Sequence, residues 1–342
     1  MLKKRKGELS FFNAALCLIV VLIHVMSKTR GMLVPGIEKD IMTAVWRLCT
    51  FVVQAFIFIS AAKTFMNDRC ERYAVFLVKR FKNVYIPYLA AATVYYLYFV
   101  FAEKYFSFSI KDWFGYLYHG NIAAHFYFVV VIMKFYILYP LWSLIRKKVP
   151  AWAAIMAALA ITVGYGIYGH LYTDYDRFYE YHDVRVTTYL VYWVAGMYAG
   201  KYYDKFMDTI KRHGVLICGA FAVAASADIY TTLSDKASEI LLIHLDTIHM
   251  LYCMAAILMM YWVACGLSRL NLKTITVIDR SSYGIYLWHV LVIFLLDNDI
   301  LSRCGVVSLS AEFIIRCVAV YAVCIAFSFI SYFYKKKRAE KN

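Results

Sequence analysis

LSFFNAALCLIVVLIHVMSK, Leu9 to Lys28, is a run of twenty residues whose one charge sits at its end. A helix of about 20 apolar residues crosses the hydrocarbon core of a bilayer. Lys3-Lys4-Arg5-Lys6 lie shortly before the run. Its end, Ser27-Lys28-Thr29-Arg30, lacks a small-x-small cleavage site. The reading is a retained first transmembrane helix, not a cleaved leader.

The rest of the chain repeats this pattern. Of 342 residues, 63% are hydrophobic and 17% charged, with a mean hydropathy of +0.60. Soluble domains are less apolar and more charged, at about 45–50% and about 25%. The excess falls in long runs at 9–28, 43–65, 83–102, 122–143, 151–169, 186–203, 213–230, 247–267, 283–298 and 311–334. The expectation is an all-α, polytopic membrane bundle of about ten helices. It forms a single domain over 1–342, because no link is long enough for a soluble domain.

The net charge of +15 is distributed by topology. Of the 37 Lys and Arg, 25 fall in 1–8, 63–82, 144–150, 201–212, 268–282 and 335–342, with only 7 of the 22 Asp and Glu. Basic links stay in the cytoplasm, so both termini are expected there. The charge then points to anionic lipid as partner and not to nucleic acid. The segment 66–82 sets Tyr73, Phe76, Leu77 and Phe81 against Lys79, Arg80 and Lys82, as an interfacial amphipathic helix does. None of the four prolines falls mid-run, so no proline-broken helix is expected. The nine cysteines form no CxxC pair, and no metal site is expected.

Polar groups inside the runs are costly and therefore informative. Ser10, Asn13, Cys17, His24 and Lys28 lie on one side of the first helix. Phe11, Phe12, Ile19, Leu22 and Ile23 lie opposite and suit lipid. Histidine exchanges protons near neutral pH, which makes His24 a candidate base as well as a candidate interhelical hydrogen bonder. Arg47, Gln54 and Ser60 mark the second run. His125, Tyr127 and Lys134 mark the fourth, and Ser282, Tyr286 and His289 the ninth. Together they are candidates to line one polar cavity.

Five ordered patches resemble the integral-membrane acyltransferase 3 family. They are the helix ending at His24; Phe56-Ile57-Phe58-Ile59-Ser60-Ala61; Lys79-Arg80-Phe81-Lys82-Asn83-Val84-Tyr85-Ile86-Pro87-Tyr88; His125-Phe126-Tyr127-Phe128; and Ser282-Tyr283-Gly284-Ile285-Tyr286-Leu287-Trp288-His289. Phe126 to Pro140 looks most like the branch near intercellular polysaccharide adhesin synthesis. Asn13 stands where the family has a basic residue, Asn83 where it has an arginine, and Ala61 where it has a glycine. The resemblance implies transfer of a short acyl group, often acetyl, from acyl-CoA to a carbohydrate or lipid-linked sugar. His24 would be the general base, with Lys79, Arg80 and Lys82 on the donor phosphates. Acyl-CoA would be a co-substrate, with no permanently bound cofactor. Glycosyltransferases of the same pathway would be further partners. The alternatives are a polysaccharide or lipid-linked-sugar exporter without covalent chemistry, and a non-enzymatic partner of a glycosyltransferase.

Overall fold

The computed structural model describes residues 6–66, 72–172, 182–234, 239–270, 272–303 and 308–341. Cys70, Cys304 and part of the segment 66–82 lie outside them. The described residues form helices and no strand. The helices are α1 (Gly7–Met32), α2 (Ile37–Cys49), α3 (Val52–Phe65), α4 (Tyr73–Arg80), α5 (Ile86–Leu97), α6 (Ile110–His119), α7 (Tyr127–Ile137) and α8 (Tyr139–Lys148). There follow α9 (Ala151–Tyr172), α10 (Val186–Lys201), α11 (Tyr203–Arg212), α12 (Gly214–Leu233), α13 (Glu239–Leu267), α14 (Lys273–Leu295) and α15 (Leu309–Lys341).

Among the described residues, eight helical stretches are long and apolar enough to cross a membrane: 7–32, 37–65, 73–102, 151–169, 214–233, 247–270, 273–300 and 309–334. The expected fourth span is instead a pair, α7 and α8, bent by 57° at their junction. Pro140 sits in the first turn of α8. Its ring removes a backbone donor and crowds the preceding turn, so a helix break here has a local cause. The expectation of unbroken helices is thereby corrected. The expected sixth span, α10, has 16 residues.

The chain divides into two compact units, residues 1–56 with 205–342, and residues 57–204. In the first, α1 packs along α14 and also touches α2, α13 and α15. Helix α1 is therefore interior, which corrects the expectation of a lipid face through Phe12. Phe12 is fully buried, with its ring 4.7 Å from that of Tyr261.

In the second unit, α3 and α10 meet backbone to backbone. A Cβ at Gly196 would lie 2.3 Å from the Phe58 carbonyl oxygen, and one at Gly200 2.4 Å from that of Ala62. Glycines four apart let two helices approach this closely. Helix α6, in a stretch read from sequence as an outer link, folds back antiparallel along α5. The Tyr96 hydroxyl bonds Ser109, Trp113 bonds Thr93, and the Tyr88 hydroxyl donates to the Leu117 carbonyl at 2.8 Å. Tyr88 is at the middle of the continuous helical stretch 73–102, so the end of α6 reaches mid-span.

Candidate functional site

In the first unit the polar stripe of α1 faces α14. Asn13 Nδ2 donates to Asp279 Oδ1 and to Ser282 Oγ, both at 2.8 Å. Ser10 Oγ donates to Asp279 Oδ2 at 2.9 Å. Ser282 Oγ donates to the Asp279 carbonyl at 2.9 Å. Asp279 is 2% exposed, so these donors do the work that water would otherwise do for a carboxylate. Asp279 was not a sequence candidate, because 268–282 read as a link; α14 in fact begins at Lys273.

Three turns up the same face, His24 and His289 meet. Their ring centroids are 5.1 Å apart, with the planes inclined by 56°. His289 is wholly buried and His24 half-buried. His289 Nδ1 lies 2.8 Å from the Tyr286 carbonyl and 3.1 Å from that of Ile285. A carbonyl only accepts, so Nδ1 carries the proton and Nε2 is the basic nitrogen. The Tyr286 ring lies 6.1 Å from that of His289, and Phe56 packs edge-on to Tyr286. Asn13, Ser282, His24, Tyr286 and His289 are thus brought together along one helix pair.

Arg47 and Gln54 belong to the same unit but not to this contact. Arg47 forms a two-pronged pair with Asp228 on α12, at 3.0 and 2.9 Å. Asp228 and its further partner His249 were both missed from sequence. A carboxylate inside the apolar run of α12 was the available signal. The Gln54 amide nitrogen donates to the carbonyls of Thr50 and Phe51, just ahead of its own helix α3.

The remaining candidates lie in the second unit. The Arg80 guanidinium sits over the rings of Phe76 and Tyr136, at 5.0 and 4.7 Å, and Nη2 is 3.5 Å from Thr64 Oγ1. Lys79 and Lys82 are exposed, and Ser60 is half-buried. His125 is buried among aromatic rings, with centroids 4.1 Å from Phe126 and 5.8 Å from Tyr95. Tyr127 is hydrogen-bonded to Tyr189. Lys134 Nζ donates to the Val184 carbonyl at 2.7 Å. Lys134 also borders an apolar cleft of about 350 Å³ lined by Leu77, Phe81, Tyr85 and Met133. No group of three metal-ligating side chains occurs among the described residues.

The profile of an acyltransferase domain family, acyltransferase 3, matches residues 9–333. The chain belongs to this family. The family match covers every candidate residue in both units, and a membrane acyltransferase is the class it supports. Two relatives, from Staphylococcus epidermidis and its strain RP62A, each bear the name probable poly-beta-1,6-N-acetyl-D-glucosamine export protein. Each is 21% identical over 315 residues, covering 85% of this chain and 82% of the relative. No solved structure matches the chain.

Proposed function

We propose that this protein moves a short acyl group, acetyl in the simplest case, from acyl-CoA to a hydroxyl or amine of a cell-surface carbohydrate or lipid-linked sugar. His24 is the general base. Its Nε2 or Nδ1 takes the acceptor proton as the acceptor atom attacks the thioester carbonyl. The tetrahedral adduct collapses, and the CoA thiolate leaves with the proton that His24 returns. The observation that carries this reading is the contact of His24 with His289, whose tautomer is set by backbone carbonyls. A held second imidazole packs against the first, and general bases work when they are so positioned.

Donor recognition is assigned to Arg80, with Lys79 and Lys82. A guanidinium over two aromatic rings keeps part of its N–H fork for phosphate oxygens. The single-domain reading of 1–342 is part of the same proposal, since the family match runs through both units.

The test is His24→Gln, which keeps a hydrogen-bonding side chain but cannot take a proton at neutral pH. Loss of a general base costs about 10²–10⁴-fold in rate. Surface glycans from cells with wild-type and variant protein, compared by mass spectrometry, should lose the acyl group while protein yield holds. Near-normal acylation by His24→Gln would make the histidine structural. A second reading, export of polysaccharide or a lipid-linked sugar, has support from the relatives' names and from the bent α7–α8 pair. It takes over if glycan export depends on the protein while no glycan carries an added acyl group.

A further inference from the structure

A second cluster of ionisable groups in the first unit takes no part in the reaction above. Asp228 on α12 is completely buried. Arg47 of α2 donates to both its oxygens, Nε at 3.0 Å and Nη2 at 2.9 Å. His249 of α13 donates to Oδ2 through Nδ1, at 2.9 Å. Nδ1 therefore carries a proton, because a carboxylate held by arginine only accepts.

The other ring nitrogen, Nε2, has two neighbours of opposite kind. Cys253 Sγ lies 3.4 Å away and offers an S–H proton. Thr50 Oγ1 lies 3.3 Å away. The Thr50 hydroxyl proton is already given to the Arg47 carbonyl, at 2.7 Å, so a lone pair faces Nε2. A neutral ring accepts from Cys253, and a charged ring donates to Thr50. Both protonation states of one histidine thus find a partner without movement of the helices.

We infer that His249 is a proton-binding site of the membrane domain, distinct from His24 and His289, whose loading transfers the Nε2 contact from Cys253 to Thr50. The ligand is a proton. With the ring neutral, Arg47 and Asp228 cancel; loading leaves one positive charge shared by α2, α12 and α13. Among the described residues, the groups facing the ring include Arg47 from α2 and Thr50 at its C-terminal cap, Asp228 from α12, and Cys253 and Tyr252 from its own helix, with Cys49 close to Tyr252. The Tyr252 hydroxyl is fixed on the Leu48 carbonyl. The His249 side chain is 15% exposed and Asp228 0%, so the ring, not the carboxylate, is the outward member of the pair.

A purely structural knot has the same contacts but does not exchange them. Infrared difference spectra of the full chain in lipid, between about pH 8 and about pH 5, separate the two through the cysteine S–H stretch. Loading should free the Cys253 S–H and shift its band upward. The band should be missing in Cys253→Ala and stationary in His249→Gln. Thr50→Val removes the acceptor of the charged form and should lower the transition midpoint by about one pH unit. An S–H band that stays put in the wild type, or that moves equally in His249→Gln, overturns the inference. So does an unchanged midpoint in Thr50→Val, which keeps His249 and Cys253 and does not depend on the other variants folding.

Discussion

Asn13 shows what one side chain decides. Its amide meets Asp279 and Ser282 where the resembling family carries a basic residue. Asn13→Asp would set a second carboxylate against a buried one, with no amide left to bridge them. We expect it to cost about 3 kcal/mol or more, read as a fall in melting temperature of the detergent-extracted protein. Asn13→Lys restores a cation beside Asp279 and should melt close to wild type. Equal melting of the two variants would show that the Asp279 site does not sense charge. At Arg80 the expectation is different. Arg80→Ala should raise the acyl-CoA concentration needed for half-maximal transfer more than it alters use of the acceptor. Unchanged acyl-CoA binding in Arg80→Ala with Lys82→Ala would return these residues to topology and aromatic packing. At this scale the sequence revealed both members of the His24–His289 contact but only one of the Asn13–Asp279 and Arg47–Asp228 contacts. His24, Asn13 and Arg47 stood out as polar groups in apolar runs. The partner of Asn13, Asp279, did not, because Lys273, Asp279 and Arg280 together look like a water-exposed link. Inside α14 Asp279 is met by Ser10 and Asn13, and Arg280 by the Tyr332 ring, contacts that a linear reading does not bring into view.

Among the elements, the hydrophobic runs located helices well and their bends poorly. Run length sets whether a helix forms, whereas a bend depends on one ring clash, as at Pro140. The fold-back of α6 was equally hidden, because its stretch read as an outer link, whereas its aromatic residues in part pack on α5. Close approach of helices is the element-level feature most open to test. Gly196 and Gly200 hold α10 against the backbone of α3 at Phe58 and Ala62. A methyl at Gly196 meets a carbonyl oxygen that cannot swing away, unlike the end of a flexible side chain. Gly196→Ala should therefore separate the helices and destabilise the protein by about 1–3 kcal/mol. Gly219→Ala is the control, since a Cβ there meets nothing within 4 Å. Equal melting temperatures for the two variants would show that the α3–α10 contact yields without cost.

Across the whole molecule, the direction of helices within the first unit constrains the number of crossings. Ser10 and Asn13 meet Asp279, Cys17 meets Ser282, His24 meets His289, and Lys28 meets Asp297. Both numbers rise together, so α1 and α14 run parallel. Helix α15 runs the other way, with Arg316 at Thr29 and Tyr321 at Leu18. Parallel helices that cross the same bilayer have an odd number of crossings between them. The stretches 37–65, 73–102, 151–169, 214–233 and 247–270 supply five. The α7–α8 pair and α10 must then both cross or both fail to cross, giving ten crossings or eight, and never nine. Ten is the expected number, because Lys147 and Lys148 at the end of α8 then join the basic inner links. Either number is even and puts both termini on one side, which the basic links lead us to expect is the cytoplasm. A single cysteine at Lys147 in a cysteine-free chain should resist a membrane-impermeant maleimide in intact cells and react after permeabilisation. A cysteine at Lys104, in the link after 73–102, should react without it. Labelling of Lys147→Cys from outside would overturn the cytoplasmic placement of that link and, with it, the ten-crossing arrangement. Labelling of Lys341→Cys from outside would overturn the cytoplasmic placement of the C-terminus and, because α1 and α15 run opposed, that of the N-terminus with it.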